Sequence, residues 1–337
     1  MSLAKTSLEQ ANLSKTLPEM AIALWNEKTG WRDLGIVPED SLKLKAEDAA
    51  IRFSRTLFDA FTARNGRIFR PRGHFERLCY GADKLRMPKP NWEIFIEGVK
   101  KLANIYASNL EEGKALYLCP LLMNISRGSW KASEQSDYAL AIKCCYTKPS
   151  RDTVYKIYID MDHTRAHPEY GDIKASANYG LVLPLQYLAE EYDCNSILFT
   201  HDYDGFRCLE ELATSNFFFV NKGKICTPSA RRKNLLKGMT RDTIIKIGIL
   251  EKTLSPIREG EYDLPIFIDE IQNKNTTEAF MTGTAITAGR ITSFYLNGLW
   301  YELPNVPKEE SVFDRIYDDL QSVYRGEKYP EFTMSYK

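Results

Sequence analysis

The chain has 337 residues, and its 45 Lys and Arg balance 45 Asp and Glu to a formal net charge of zero. With 44% hydrophobic and 27% charged residues it has the composition of an ordinary globular chain, long enough for about two domains, which excludes disorder as the main state. The neutral balance gives no general pull toward nucleic acid or anionic lipid, and the longest apolar stretch, 115–123, is far short of the ~20 residues of a spanning helix.

Residues 1–20 are polar and without period, and read as a mobile arm ending near Pro18. Residues 51–61 mix aromatic and β-branched side chains. Arg64-Asn65-Gly66-Arg67 then supplies the turn of a hairpin whose second strand, Ile68-Phe69-Arg70, stops at Pro71. Phe75, Leu78, Cys79, Ala82 and Leu85 recur at helical spacing within 73–86, which predicts a helix ended by Pro88, and a second helix is predicted over 92–108. The runs 116–123 and 138–146 read as buried strands. They close a smaller N-terminal α+β domain over 1–146, with 147–152 as a linker around Lys148-Pro149-Ser150.

The larger second domain, 153–337, opens with a strand over 153–160, followed by a polar stretch into Lys174 and a helix over 179–192. Short apolar runs at 196–200, 206–209, 216–220 and 225–227, separated by Asp204-Gly205 and Asn221-Lys222-Gly223-Lys224, predict a meander. A helix is predicted over 240–250, with Asp242 in its first turn, where negative charge suits the helix dipole. Strands at 279–281 and 290–294 and a helix over 311–324 complete the chain.

Seven cysteines without a C-x-x-C pair do not read as a disulfide framework, and His74, His163, His167 and His201 stand in no metal-ligand spacing, so no metal site is expected. No apolar signal core follows Lys5, and a cytoplasmic setting is the default. Four polar features sit where elements end. Lys174 is followed by the small residues Ala175-Ser176-Ala177; such a lysine, if buried, can form a Schiff base, although a solvated lysine reads the same way. Glu211 precedes the apolar Phe217-Phe218-Phe219 and suits pairing with a protonated ring nitrogen, or plain exposure at a strand end. The loop 236–241, Leu-Lys-Gly-Met-Thr-Arg, enters a helix start that would bind phosphate or simply be capped. Thr282-Gly283-Thr284-Ala285 is a small-residue turn able to complete an anion site.

In their order and spacing, and together with Phe69-Arg70-Pro71-Arg72, these features resemble the class IV pyridoxal-phosphate aminotransferases, most closely the branched-chain amino acid aminotransferases, from about residue 30 to 330. Further stretches that carry the resemblance are Arg86-Met87-Pro88, Leu116-Tyr117-Leu118 with Pro120, Lys174 through Tyr179-Gly180, and Gly283-Thr284-Ala285. The resemblance implies a mixed α+β fold of type IV, with two domains and pyridoxal 5'-phosphate at their interface. It implies a homodimer that moves an amino group between a hydrophobic amino acid and a 2-oxo acid, with no nucleic acid or membrane partner. Lys174 would bond the cofactor aldehyde and shuttle the proton, Tyr179 would meet its phenolic oxygen, and Glu211 its ring nitrogen. Arg70, Met239, Thr240, Gly283 and Thr284 would take its phosphate end, and Phe58, Tyr117, Cys119, Thr284 and Ala285 would line the substrate.

Three stretches depart from the family pattern: His-Tyr-Gly reads Arg52-Phe53-Ser54, Phe-Glu-Gly reads Phe58-Asp59-Ala60, and Tyr-x-Arg-Pro reads Tyr117-Leu118-Cys119-Pro120. The last replaces the arginine that helps bind a glutamate side chain, and Arg52 and Arg127 are the nearby candidates to stand in for it. The alternatives within the fold are a D-amino acid transaminase, an aminodeoxychorismate lyase-like enzyme and a relative that holds the cofactor without turnover.

Overall fold

The computed structural model describes residues 18–131, 137–251 and 257–337, so the predicted arm lies almost wholly outside the described residues. Two β-sheets dominate. The first is built from β1 (Glu19–Asn26), β2 (Gly30–Pro38), β3 (Thr56–Phe58), β4 (Phe61–Arg64), β5 (Arg67–Phe69), β6 (Ala115–Asn124) and β7 (Asp137–Thr147), and a one-turn helix α1 (Ala49–Arg52) precedes β3. The β4–β5 hairpin turns through Asn65 and Gly66 at φ of 50° and 80°, the two positive values a tight two-residue hairpin requires. Helices α2 (Pro71–Lys84) and α3 (Trp92–Ala107) cover this sheet. Pro71 occupies the first turn of α2, where its missing N–H costs nothing, and Asn91 caps α3 by accepting from the Ile94 N–H at 3.0 Å. Phe61, Phe95, Leu102 and Leu116 are fully buried between these layers.

The second sheet runs in the order β10-β9-β8-β15-β14-β11-β12-β13, with β16 paired to β15. Its strands are β8 (Val154–Asp160), β9 (Ser196–Tyr203), β10 (Phe206–Leu212), β11 (Asn216–Asn221), β12 (Lys224–Pro228), β13 (Arg258–Gly260), β14 (Thr276–Gly283), β15 (Thr287–Leu296) and β16 (Leu299–Glu302). The predicted meander is corrected here. β9–β10 and β11–β12 are hairpins, but β10 and β11 are not neighbours in the sheet order, and β11 pairs instead with β14. β8 and β9 run parallel, so a crossover must join them; it contains α4 (Ala177–Gly180) and α5 (Val182–Glu191). The remaining helices are α6 (Met239–Glu251), α7 (Leu264–Gln272) and α8 (Val312–Arg325), the last capped by Ser311, which accepts from the Asp314 N–H at 3.1 Å.

The chain does not stay in the second half to its end. A short strand β17 (Thr333–Ser335) pairs antiparallel with β5, so the last residues complete the first sheet. Among the described residues no helix is long and apolar enough to cross a membrane.

Candidate active site

Residues from both sheets converge on a cavity of about 220 Å³. Lys174 reaches it from the connection before α4. That connection is pinned to β3, because the Phe58 N–H donates to the Lys174 carbonyl at 3.0 Å and the Ser176 N–H to the Thr56 carbonyl at 2.9 Å. The Lys174 Nζ donates to the Tyr179 hydroxyl at 3.0 Å and stands 4.4 Å from the centre of the Phe58 ring. Phe58 and Tyr179 meet edge to face at 5.0 Å, so the amine has one polar and two aromatic neighbours.

Glu211 arrives through a β-bulge. Leu209 and Leu212 pair with Thr200 and Leu198, which leaves Glu210 and Glu211 opposite Phe199 alone. Two consecutive carboxylates are thereby buried, each no more than 3% exposed. The Glu211 carboxylate lies 2.6 Å from Arg165 Nε and accepts from Asn216 Nδ2 at 2.9 Å and the Leu236 N–H at 2.8 Å. Burial pushes Glu211 up from the usual carboxylate range, with Arg165 opposing. Burial pushes Glu210 up to about 8, which keeps it largely protonated at neutral pH.

Asn216 also donates to the Leu236 carbonyl at 2.8 Å, holding the loop that leads into α6. Gly238 in that loop leaves no room for a side chain, since a Cβ there would collide with Asn216 Oδ1. Gly238→Ala is therefore expected to lower the unfolding free energy by ~1–3 kcal/mol, read as a lower urea midpoint at unchanged slope.

Of the residues the sequence nominated, the cavity collects Lys174, Tyr179, Glu211, Met239, Thr240, Gly283, Thr284, Ala285, Phe58 and Tyr117. Met239 and Thr240 open α6, so the first free N–H groups of that helix lie at the cavity edge. Arg70 is not brought there. Its Nη1 donates to the Met239 carbonyl at 3.2 Å and to Thr243 Oγ1 at 3.0 Å, and meets the Asp242 carboxylate at 2.6 Å, so it latches α2 to α6. Cys119 is also outside the lining. It stands opposite Lys143 in the β6–β7 register, and Lys143 is ion-paired with Glu39. Neither Arg52 nor Arg127 lines the cavity.

Polar side chains that were not nominated also line the cavity, among them Arg77, Arg165, Asn216 and Thr282. Arg77, seven residues beyond Arg70 on α2, reaches the cavity with its guanidinium held by Asp59. Helical spacing places it about two turns beyond Arg70 on the same face. Arg165 and Asn216 serve Glu211 and carry no local pattern. Thr282 Oγ1 is buried at the cavity wall without a protein partner, which suits a site that takes a polar ligand. An amine, a buried carboxylate, an arginine and a helix start in one small cavity fit the aldehyde, ring nitrogen and phosphate of pyridoxal phosphate.

A family model for amino-transferase class IV matches residues 56–294. A Bacillus subtilis protein named branched-chain-amino-acid aminotransferase 2 is 26% identical over 314 residues, covering 90% of this chain and 85% of the relative. A branched-chain amino acid aminotransferase from Thermobaculum terrenum, solved in its PLP form, superposes with a TM-score of 0.76 at 19% identity, over 96% of this chain and 100% of that one. One from Thermoproteus uzoniensis, solved with norvaline, gives a TM-score of 0.75 at 19% identity, over 94% of this chain and 100% of that one.

Proposed function

The chain belongs to the class IV aminotransferase family, and on that premise we propose that it moves the amino group of a branched-chain or other hydrophobic amino acid to a 2-oxo acid, with pyridoxal phosphate held in the 220 Å³ cavity. The observation that carries this reading is the Lys174 amine, within 3.0 Å of the Tyr179 hydroxyl and in one cavity with the buried Glu211 carboxylate. Bound there, pyridoxal phosphate supplies an aldehyde carbon for the amino group and a ring that accepts electrons.

The protein's part is binding, orientation and proton handling. Lys174 would hold the cofactor by its aldehyde end, and its amine would take and return the proton at the substrate α-carbon. Tyr179 orients that amine through its hydroxyl. Glu211 holds a proton at the ring nitrogen, while Arg165, Asn216 and the Leu236 N–H fix the carboxylate in place. Arg77, rather than Arg70, takes the phosphate together with the start of α6 and the Thr284 turn. Phe58 and Tyr117 give the substrate side an aromatic wall, which suits an apolar side chain.

A second copy of the chain is part of the proposal. Leu181, Leu183 and Tyr187 project from the α4–α5 segment just beyond Tyr179, with Leu181 80% exposed. An apolar cluster beside the cavity suits a homodimer that closes both sites. The test is a donor screen followed through the cofactor spectrum. L-leucine, L-isoleucine and L-valine are expected to convert it to the amino form and 2-oxo acids to restore it. A spectrum that no amino acid changes, or that only D-amino acids change, overturns the reading.

A further inference from the structure

Asp59 lies on the two-residue connection between β3 and β4, fully buried, and carries no role in the reaction as described so far. Its carboxylate meets Arg77 Nε at 2.8 Å and Nη2 at 2.6 Å, the bidentate fork of guanidinium and carboxylate. Behind it His74, also fully buried, brings Nδ1 to 2.7 Å from the same carboxylate. A carboxylate only accepts, so the imidazole donates from Nδ1, and burial, against the pull of Asp59, lowers the His74 pKa and favours the neutral ring. Burial alone would raise the Asp59 carboxyl, but Arg77 and His74 outweigh it and hold it well below the usual carboxylate range.

We propose that Asp59, braced by His74, is a positioning residue that aims Arg77 at the phosphate of the cofactor. The proposal rests on the reading given under Proposed function. Arg77 has a third tie, from Nη1 to the Lys237 carbonyl at 3.1 Å, so its long side chain is already ordered by groups of the protein itself. The rotamer entropy of this long side chain is then lost on folding and not on binding.

The two neighbours of Asp59 show why this residue is the junction. The Phe58 N–H donates to the Lys174 carbonyl at 3.0 Å, and the Ala60 carbonyl accepts from Thr284 Oγ1 at 3.0 Å. Three consecutive residues thus fix the amine, the arginine and the anion-side turn in one frame. The Asp59 main chain is itself held, its N–H donating to the Pro120 carbonyl at 2.9 Å.

The experiment titrates the full chain, stripped of cofactor, with pyridoxal 5'-phosphate and separately with pyridoxal, and follows binding by fluorescence rather than turnover. The wild-type chain is expected to prefer the phosphorylated form. Asp59→Asn is expected to lower that preference at least tenfold while the affinity for pyridoxal changes less than about twofold, and Asp59→Glu, which keeps the charge, to restore part of it. If Asp59→Asn does not give folded protein, His74→Gln carries the same test with a severalfold loss of preference. Equal weakening of both ligands, or an intact preference, overturns the positioning role. A wild-type chain that binds both forms alike removes the phosphate site itself, and with it the reading on which this proposal rests.

Discussion

Lys174→Ala is expected to abolish the visible absorbance of lysine-bound cofactor and to lower kcat by roughly 10²–10⁴-fold, the usual contribution of a positioned proton-transfer group. The amine at 174 has two assignments in one site, as the attachment point and as the base. The geometry supports both, because Phe58 and Tyr179 leave the Nζ a single close polar neighbour, the Tyr179 hydroxyl at 3.0 Å. Borohydride reduction followed by peptide mapping checks the attachment directly. Cofactor reduced onto a peptide other than the one containing residue 174 would falsify the assignment. A Lys174→Ala enzyme that keeps its rate would also count against it.

The second large effect is expected at Glu211. Glu211→Gln removes the carboxylate proposed to pair with the ring nitrogen and is expected to lower kcat by roughly 10²-fold or more, the scale on which one preorganised electrostatic partner acts. The substitution also leaves Arg165 buried without its counter-ion, and breaking a buried pair costs about 3–5 kcal/mol. The two consequences separate by measurement. Denaturant unfolding reads the lost ion pair, and the rate of proton removal from a C2-deuterated amino acid reads the ring effect. Arg165→Gln is expected to share the stability loss and show a smaller rate loss, since its carboxylate partner is retained. If both variants lose rate equally, Glu211 acts only through the fold.

Much of the fold was legible in the sequence where one face is buried. The period of Phe75, Leu78, Ala82 and Leu85 marked α2, and the apolar run from Trp92 marked α3, because each helix lays one stripe on the first sheet. Asn65-Gly66 marked its hairpin because few residues accept two positive φ values in succession. β1 was overlooked. It lies between β7 and β2, with residues 20–23 all buried, so the alternation that identifies a half-exposed strand is missing. The short β17 is defined by its partner alone.

The site divides in the same way. Lys174, Tyr179 and Glu211 were nominated by the order and spacing of several motifs taken together, each of which alone also has a plain structural reading, and the structure brings all three to one cavity. The phosphate end was read at Arg70, which sits at a strand–helix junction with φ of 45°, and the structure gives that arginine to Asp242 and Thr243 on α6. Choosing between the arginine at the entrance to α2 and the one within it depends on which carboxylate claims each of them. Asp59 and Asp242 are far apart along the chain, and only folding brings each to its arginine.

The return of β17 to β5 bears on how the molecule is made. Strands separated by more than 260 positions close the edge of the first sheet, with Thr333 opposite Phe69 and Ser335 opposite Arg67. The Phe332 carbonyl also accepts from the Arg70 N–H at 2.7 Å, at the entrance to the helix that carries His74 and Arg77. On a ribosome the early half can collapse around its own core, yet that edge stays open until position 335 has left the exit tunnel. Completion of that sheet edge therefore waits on the slow closure of a very long loop.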